Sequence, residues 1–199
     1  MRKYLLILGV LFCLACEDNY IDTGISNGKH NCSMYDYLCS DSYNWDSTRL
    51  IIERAELKYM FDGTNREYEN ITFFGPTNHS IRMWMINNGY KCVSDIPVDI
   101  CRDYIKKYIY KDGKLMRVDF LFEVKGTSEG GSRIVKLDGG EIRVFRRSTD
   151  WGAAVGGGAE ELYVQSYVYG VTNRIASADI ETLTGVVHSL SYTHVFGNF

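Results

Sequence analysis

The chain has 199 residues, of which 45% are apolar, 24% charged and 14% aromatic, with a formal net charge of -3. This apolar content and small net charge exclude an intrinsically disordered chain, and the length suits one domain with its own core. With 22 basic against 25 acidic residues there is no basic surplus, which excludes a broad nucleic-acid role.

Arg2 and Lys3 precede Tyr4 to Ala15, an uncharged and mostly apolar run of twelve residues. A membrane-spanning helix needs about 20. Residues 1–15 therefore read as an export signal that takes no part in the fold. The run closes on Cys13-Leu14-Ala15-Cys16, which resembles the lipobox of bacterial lipoproteins, with Cys13 where an aliphatic residue is usual. The resemblance implies that Cys16 becomes the new N-terminus and carries acyl chains into outer-membrane lipid. Without residues 1–15 the chain keeps 20 basic and 25 acidic residues, net -5. Glu17 and Asp18 resemble the surface-export signals of some Gram-negative lipoproteins and equally fit a solvated tether. Both the cell surface and the periplasmic leaflet stay open as locations. Residues 16–30 are expected to be a flexible tether and residues 31–199 a single domain.

Within that domain, Met34 to Ser40 predicts a short helical turn. Asp46 can cap a longer helix whose Ile51, Ile52, Ala55 and Tyr59 share a face. Ile71 to Phe74 is a compact apolar strand stopped by Gly75-Pro76, and Ile81, Trp84 and Met85 mark a helix closed by Asn88-Gly89. Pro97 suits the first position of another helix, along which Cys101, Tyr104, Ile105 and Tyr108 keep helical spacing. After Gly113 the period switches to two, and Met116 to Val124 predicts a half-buried strand. Arg133 to Leu137 and Glu141 to Arg146 flank Asp138-Gly139-Gly140, a hairpin signal. Strands are further expected over Leu162 to Val171, Ile175 to Ile180 and Val186 to Leu190. Helices gathered in the first half and antiparallel strands in the second predict an α+β fold.

Two segments carry a family resemblance. Thr72-Phe73-Phe74-Gly75-Pro76-Thr77-Asn78 resembles the first signature of the fasciclin (FAS1) domain, in which Thr72, Phe74, Pro76 and Asn78 match and Gly75 replaces an alanine. Thr184-Gly185-Val186-Val187-His188-Ser189-Leu190 resembles its second signature through Gly185 and His188, with Thr184 for an asparagine and Asp179-Ile180 as lead-in. The family's intermediate Tyr-His dipeptide falls on Tyr108-Ile109, without the histidine. The resemblance implies N-terminal helices packed on an antiparallel β-sheet or sandwich wedge. It also implies an adhesion or binding role with no common active site, and for lipoprotein members a polysaccharide or another surface lipoprotein as partner. A structural periplasmic lipoprotein without external ligand is the alternative.

Few residues point to chemistry. There is no Gly-x-Ser-x-Gly elbow, no His-Glu-x-x-His and no phosphate-loop lysine, so no catalytic residue, cofactor or metal is expected. Among the four histidines, His188 lies between valines and reads as a packed, hydrogen-bonded core residue. Cys92 and Cys101 span an expected loop and are the favoured disulfide pair, with free thiols as the alternative. Tyrosine is abundant, with 15 residues. On one strand, Tyr163, Gln165, Tyr167 and Tyr169 would share a face and could form a stacking platform for sugars or protein, unless a helix or loop covers it.

Overall fold

The computed structural model describes residues 28–152 and 154–199. The predicted leader, the lipobox with Cys16, and all but the last residues of the tether lie outside the described residues. Among the described residues no helix is long and apolar enough to cross a membrane.

The first two helices start at side-chain caps. Ser33 opens α1 (Met34–Ser40), its hydroxyl accepting the Asp36 N–H at 3.1 Å. Asp41 opens α2 (Ser42–Arg54) by accepting the Asn44 N–H at 3.2 Å. The cap thus lies more than a turn before the expected Asp46, which sits inside α2 and pairs with Arg49 at 2.7 Å. Ala55 closes α2 because Glu56 takes a left-handed φ of +62°, so Tyr59 leaves the helix; of the expected set Ile51, Ile52 and Ala55 are buried, together with Trp45 and Thr48. After strand β1 (Ile71–Gly75) come α3 (Asn78–Asn87) and α4 (Val98–Lys106). Pro97 has an extended ψ of 142° and is the N-cap of α4, not its first helical residue; its carbonyl accepts the Cys101 N–H at 3.1 Å.

The remaining strands are β2 (Ile109–Tyr110), β3 (Ser132–Val135), β4 (Glu141–Ser148), β5 (Glu160–Ser166), β6 (Thr172–Thr182) and β7 (Gly185–Leu190). They form one seven-stranded sheet in the order β2-β1-β7-β6-β5-β4-β3. The mixed helix-and-sheet class is as expected, but the sheet is neither wholly antiparallel nor a sandwich. β1 and β7 run parallel, in register from Ile71 opposite Gly185 to Gly75 opposite Ser189. The sheet also curls until its edges touch: just past β3, Leu137 N–H donates to the Ile109 carbonyl of β2 at 2.8 Å. The result is a nearly closed barrel whose edges are mostly protected.

Two expected strands are corrected. Met116 to Val124 does not form the alternating strand. Asp119 accepts the Met116 N–H at 2.7 Å and winds Arg117–Asp119 into a single tight helical turn. Of the alternating apolar set only Phe120 is buried, while Val118, Phe122 and Val124 are exposed. The segment Leu162 to Val171 is also not continuous. β5 ends at Ser166, whose carbonyl accepts the Gly170 N–H at 3.0 Å, and Gly170 takes a φ of +63° to reverse the chain into β6. The hairpin through Asp138-Gly139-Gly140 forms as read, with Gly139 at φ +82°.

β1 is buried on both faces. On the helical side Phe73 meets Phe61 edge-on at 5.1 Å, and Gly75 lies against Trp45 of α2, where an added Cβ would come within 2.7 Å of the indole. On the opposite side Phe74 packs with Phe120, His188 and Phe199.

Candidate functional site

The two segments that resemble family signatures are joined directly by the parallel β1–β7 pairing, which sets Phe74 opposite His188 with their rings stacked at 5.6 Å. Their polar side chains hold backbone together. Thr72 donates its hydroxyl to the Gly113 carbonyl at 2.8 Å and accepts the Leu115 N–H at 2.9 Å, fixing the loop that follows β2. The Pro76 carbonyl accepts from the buried Thr48 hydroxyl at 2.5 Å. Asn78 grips the start of α2, donating to the Ser42 and Tyr43 carbonyls at 2.8 and 2.7 Å and accepting the Ser47 N–H at 2.7 Å. Thr184 accepts the Met34 N–H at 2.9 Å and donates to the Phe61 carbonyl at 3.0 Å, tying α1 to the sheet. A Cβ on Gly185 would fall 2.1 Å from the Ile71 carbonyl oxygen, so the close pairing of β1 and β7 requires glycine there.

His188 is fully buried. Its Nε2 donates to the Leu115 carbonyl at 2.8 Å, and its Nδ1 accepts the Asp179 N–H at 3.3 Å, which fixes the neutral tautomer. Asp179 can aim its N–H at the ring because β6 bulges there and Asp179 adopts φ +60°. Burial pushes the His188 imidazole below its ordinary range. His194 is held down to about 3, again by burial. Its Nε2 lies 2.7 Å from the Tyr108 hydroxyl, which also accepts the Gly197 N–H at 2.7 Å. The phenol's own proton is thus left for His194 Nε2, placing the ring proton on a buried, unbonded Nδ1. Although the dipeptide Tyr108-Ile109 lacks its histidine, the C-terminal turn brings an imidazole to Tyr108 in space. Both histidines are neutral structural groups near pH 7.

The four platform residues do not share a face. Tyr163 lies on β5, stacked on Phe145 at 5.5 Å with the Arg147 guanidinium 4.5 Å from its ring centre, and its hydroxyl donates to Glu161 at 2.6 Å. Gln165 accepts from Arg143 at 3.1 Å. The loop before β3 covers this face, because Arg143 also donates to the Gly130 and Glu129 carbonyls at 2.7 and 2.5 Å. Tyr167 and Tyr169 sit instead on the β5–β6 turn, where Tyr167 is 53% exposed and Tyr169 faces the Lys107 ammonium at 5.6 Å. Cys92 is exposed with its thiol 2.9 Å from the Ser94 hydroxyl, whereas Cys101 is buried on α4. All four described cysteines are free thiols, so the favoured Cys92–Cys101 bond is not formed.

A cleft of about 680 Å³ opens where the first turns of α2 and α3 meet the 91–93 turn and Tyr192. This volume is ordinary for small-molecule and saccharide-sized sites. Tyr43 is 81% and Tyr192 56% exposed at this cleft, and the His79 ring lies edge-on to Tyr192 at 5.9 Å. Arg82 and Lys91 also line it, and no Asp or Glu does. Sequence reasoning counted His79 among the histidines but missed Tyr43, Arg82, Lys91 and Tyr192. No periodic or motif signal connects residues so far apart in the chain.

No family model matches this chain, and no curated protein matches it in a sequence search. Among solved structures it is similar to a FAS1 domain pair from the insect cell adhesion molecule fasciclin I. The identity is 15% and the TM-score 0.46, over 82% of this chain and 44% of that one. The chain thus spans less than half the length of that structure.

Proposed function

We propose that this chain is a non-enzymatic binding and adhesion module of the fasciclin type, held at the outer membrane by acyl chains on Cys16 and facing the cell exterior. The observation that supports the family reading is the in-register pairing of the two signature-like segments as neighbouring strands. With the signature side chains engaged in the fold, ligand contact falls to the surface. Its partner is a polysaccharide or another surface lipoprotein.

Three measurements test this reading on the full-length chain. Cys16→Ser should move the protein from the membrane pellet to the soluble fraction, because two or more acyl chains make a stable anchor; unchanged partition refutes the anchor. Protease added to intact cells should degrade the domain, and full protection would favour a structural role in the periplasmic leaflet. Presented with a panel of polysaccharides and surface lipoproteins, the chain should retain at least one. Retention of none refutes the binding role.

A further inference from the structure

We propose that the cleft at the start of α3 binds an acidic sugar, a carboxylated or sulfated unit of a polysaccharide. This names the ligand class of the binding module proposed above and rests on that reading. Three features converge, the first two through the same residue, Thr77. The first is the helix end: α3 has ten residues, and its N-cap residue Thr77 makes no side-chain capping bond, leaving the N–H groups of the first turn without a cap acceptor. A helix N-terminus carries about half a positive charge and accommodates anionic oxygens.

The second feature is Thr77 itself. It lines the cleft and is only 2% exposed, and its hydroxyl oxygen is buried without a hydrogen-bond partner among the described residues. A buried hydroxyl without a partner is unusual and calls for an explanation. A turn of the Thr77 side chain toward the cleft would give it an anionic oxygen at the helix end as acceptor. The third feature is charge and shape. Arg82 and Lys91 line the cleft and form no ion pair among the described residues, although the chain as a whole is acidic. Asp95, beside the 91–93 turn, is turned back onto the backbone N–H groups of Lys91 and Cys92 at 3.0 and 3.1 Å.

Charge alone would suit any anion. The exposed rings of Tyr43 and Tyr192 favour a sugar, since a pyranose presents an apolar C–H face to a ring while its substituents reach polar groups. An acidic peptide would use the cations without needing both rings.

The test is titration of the full-length chain with sodium polygalacturonate, heparin oligosaccharides, neutral dextran and poly-L-glutamate, for wild type and three variants. One or both acidic polysaccharides should bind and dextran should not; binding of polygalacturonate shows that a carboxylate suffices, and binding of heparin alone that sulfate is required. Arg82→Gln and Tyr192→Ala each should weaken binding roughly ten-fold, as for a central contact of an interface. Both side chains are exposed, so the melting temperature should hold. Thr77→Val should weaken binding as well while melting no lower than wild type, because it removes a hydroxyl that bonds nothing in the free protein. Failure of both acidic polysaccharides to bind overturns the proposal, and so does binding that none of the three variants weakens. Equal affinity for poly-L-glutamate, with Tyr192→Ala silent, overturns it in favour of an acidic peptide. If the chain retains another member of the earlier panel with the cleft variants unaffected, the cleft assignment falls and the binding module stands. Retention of nothing at all removes the binding module itself.

Discussion

Replacing Thr184 by valine separates a hydrogen bond from the packing around it. The two side chains have nearly the same shape, so the change removes only the hydroxyl that accepts the Met34 N–H and donates to the Phe61 carbonyl. The Phe61 carbonyl keeps a second donor, the Tyr35 N–H at 3.1 Å. Met34 is fully buried at the first position of α1 and has no helical acceptor for its N–H, so that donor is left unsatisfied. An orphaned buried donor costs about 1–3 kcal/mol. Taking about 2 kcal/mol, the melting temperature should fall by about 4–8 °C for a domain of this size. Thermal melts and urea titrations of the full-length chain followed by circular dichroism measure both quantities. Thr184→Ser is the control: it keeps the hydroxyl, loses one methyl group, and should lose about 1 kcal/mol. A valine variant as stable as wild type would refute the reasoning. So would a serine variant less stable than the valine one, which would make packing the main contribution of Thr184.

Three further outcomes are expected. Gly75→Ala, which restores the residue usual in the signature, places a Cβ 2.7 Å from the Trp45 ring and should cost about 1–3 kcal/mol; an unchanged melt would show that α2 yields freely. Lowering the pH should destabilise the fold through the buried histidines. His194 is held to about 3 in the folded chain against about 6.5 unfolded, so the unfolded state takes up the proton first. Its stabilising contribution is complete above about pH 6.5 and declines by about 1.4 kcal/mol per unit toward about pH 3. Burial moves His188 in the same direction. Denaturation midpoints at pH 7.5 and 5 should therefore differ, His194→Leu should flatten the difference, and equal midpoints in wild type would contradict the burial of both rings. Tyr167→Ala, at an exposed turn position, should change stability by no more than about 0.5 kcal/mol; a loss of several kcal/mol would return this tyrosine to the core.

Local signals were legible where short-range chemistry decides the backbone. Gly75-Pro76 ended β1 as read, Asn88-Gly89 closed α3, and Asp138-Gly139-Gly140 turned the hairpin. Alternation misled over Met116 to Phe120, because period two says nothing about local capture of the backbone; Leu121 and Glu123 do pair, with Arg146 of β4. Before them, Asp119 captures a backbone N–H locally and leaves Val118 exposed. The tyrosine run after Tyr163 failed for a similar reason: Gly170, nearly at its end, reverses the chain and so removes Tyr167 and Tyr169 from the strand. The signature residues were visible as a resemblance, but their work as backbone clamps depends on partners such as Gly113, Ser42 and Met34 that no local pattern supplies. The cleft was not legible at all, since Tyr43 and Tyr192 come together only through the tertiary fold.

The parallel union of β1 and β7 also dictates when this molecule can finish folding. β1 is complete at Gly75, yet its neighbour on one side begins only at Gly185. At about 5–20 residues per second, synthesis leaves that flank bare for about 5–20 s. Five residues destined for the interior must wait, and the loop that has to close is long, which places the rate-limiting step late and keeps it slow. Stepwise assembly from the N-terminus therefore stalls: α1 lacks the Thr184 hydroxyl it hangs on, and Phe74 lacks the imidazole it stacks against, until β7 has been made. Shortened chains ending before β7 should accordingly be substrates for proteases and chaperones, not smaller versions of the same domain.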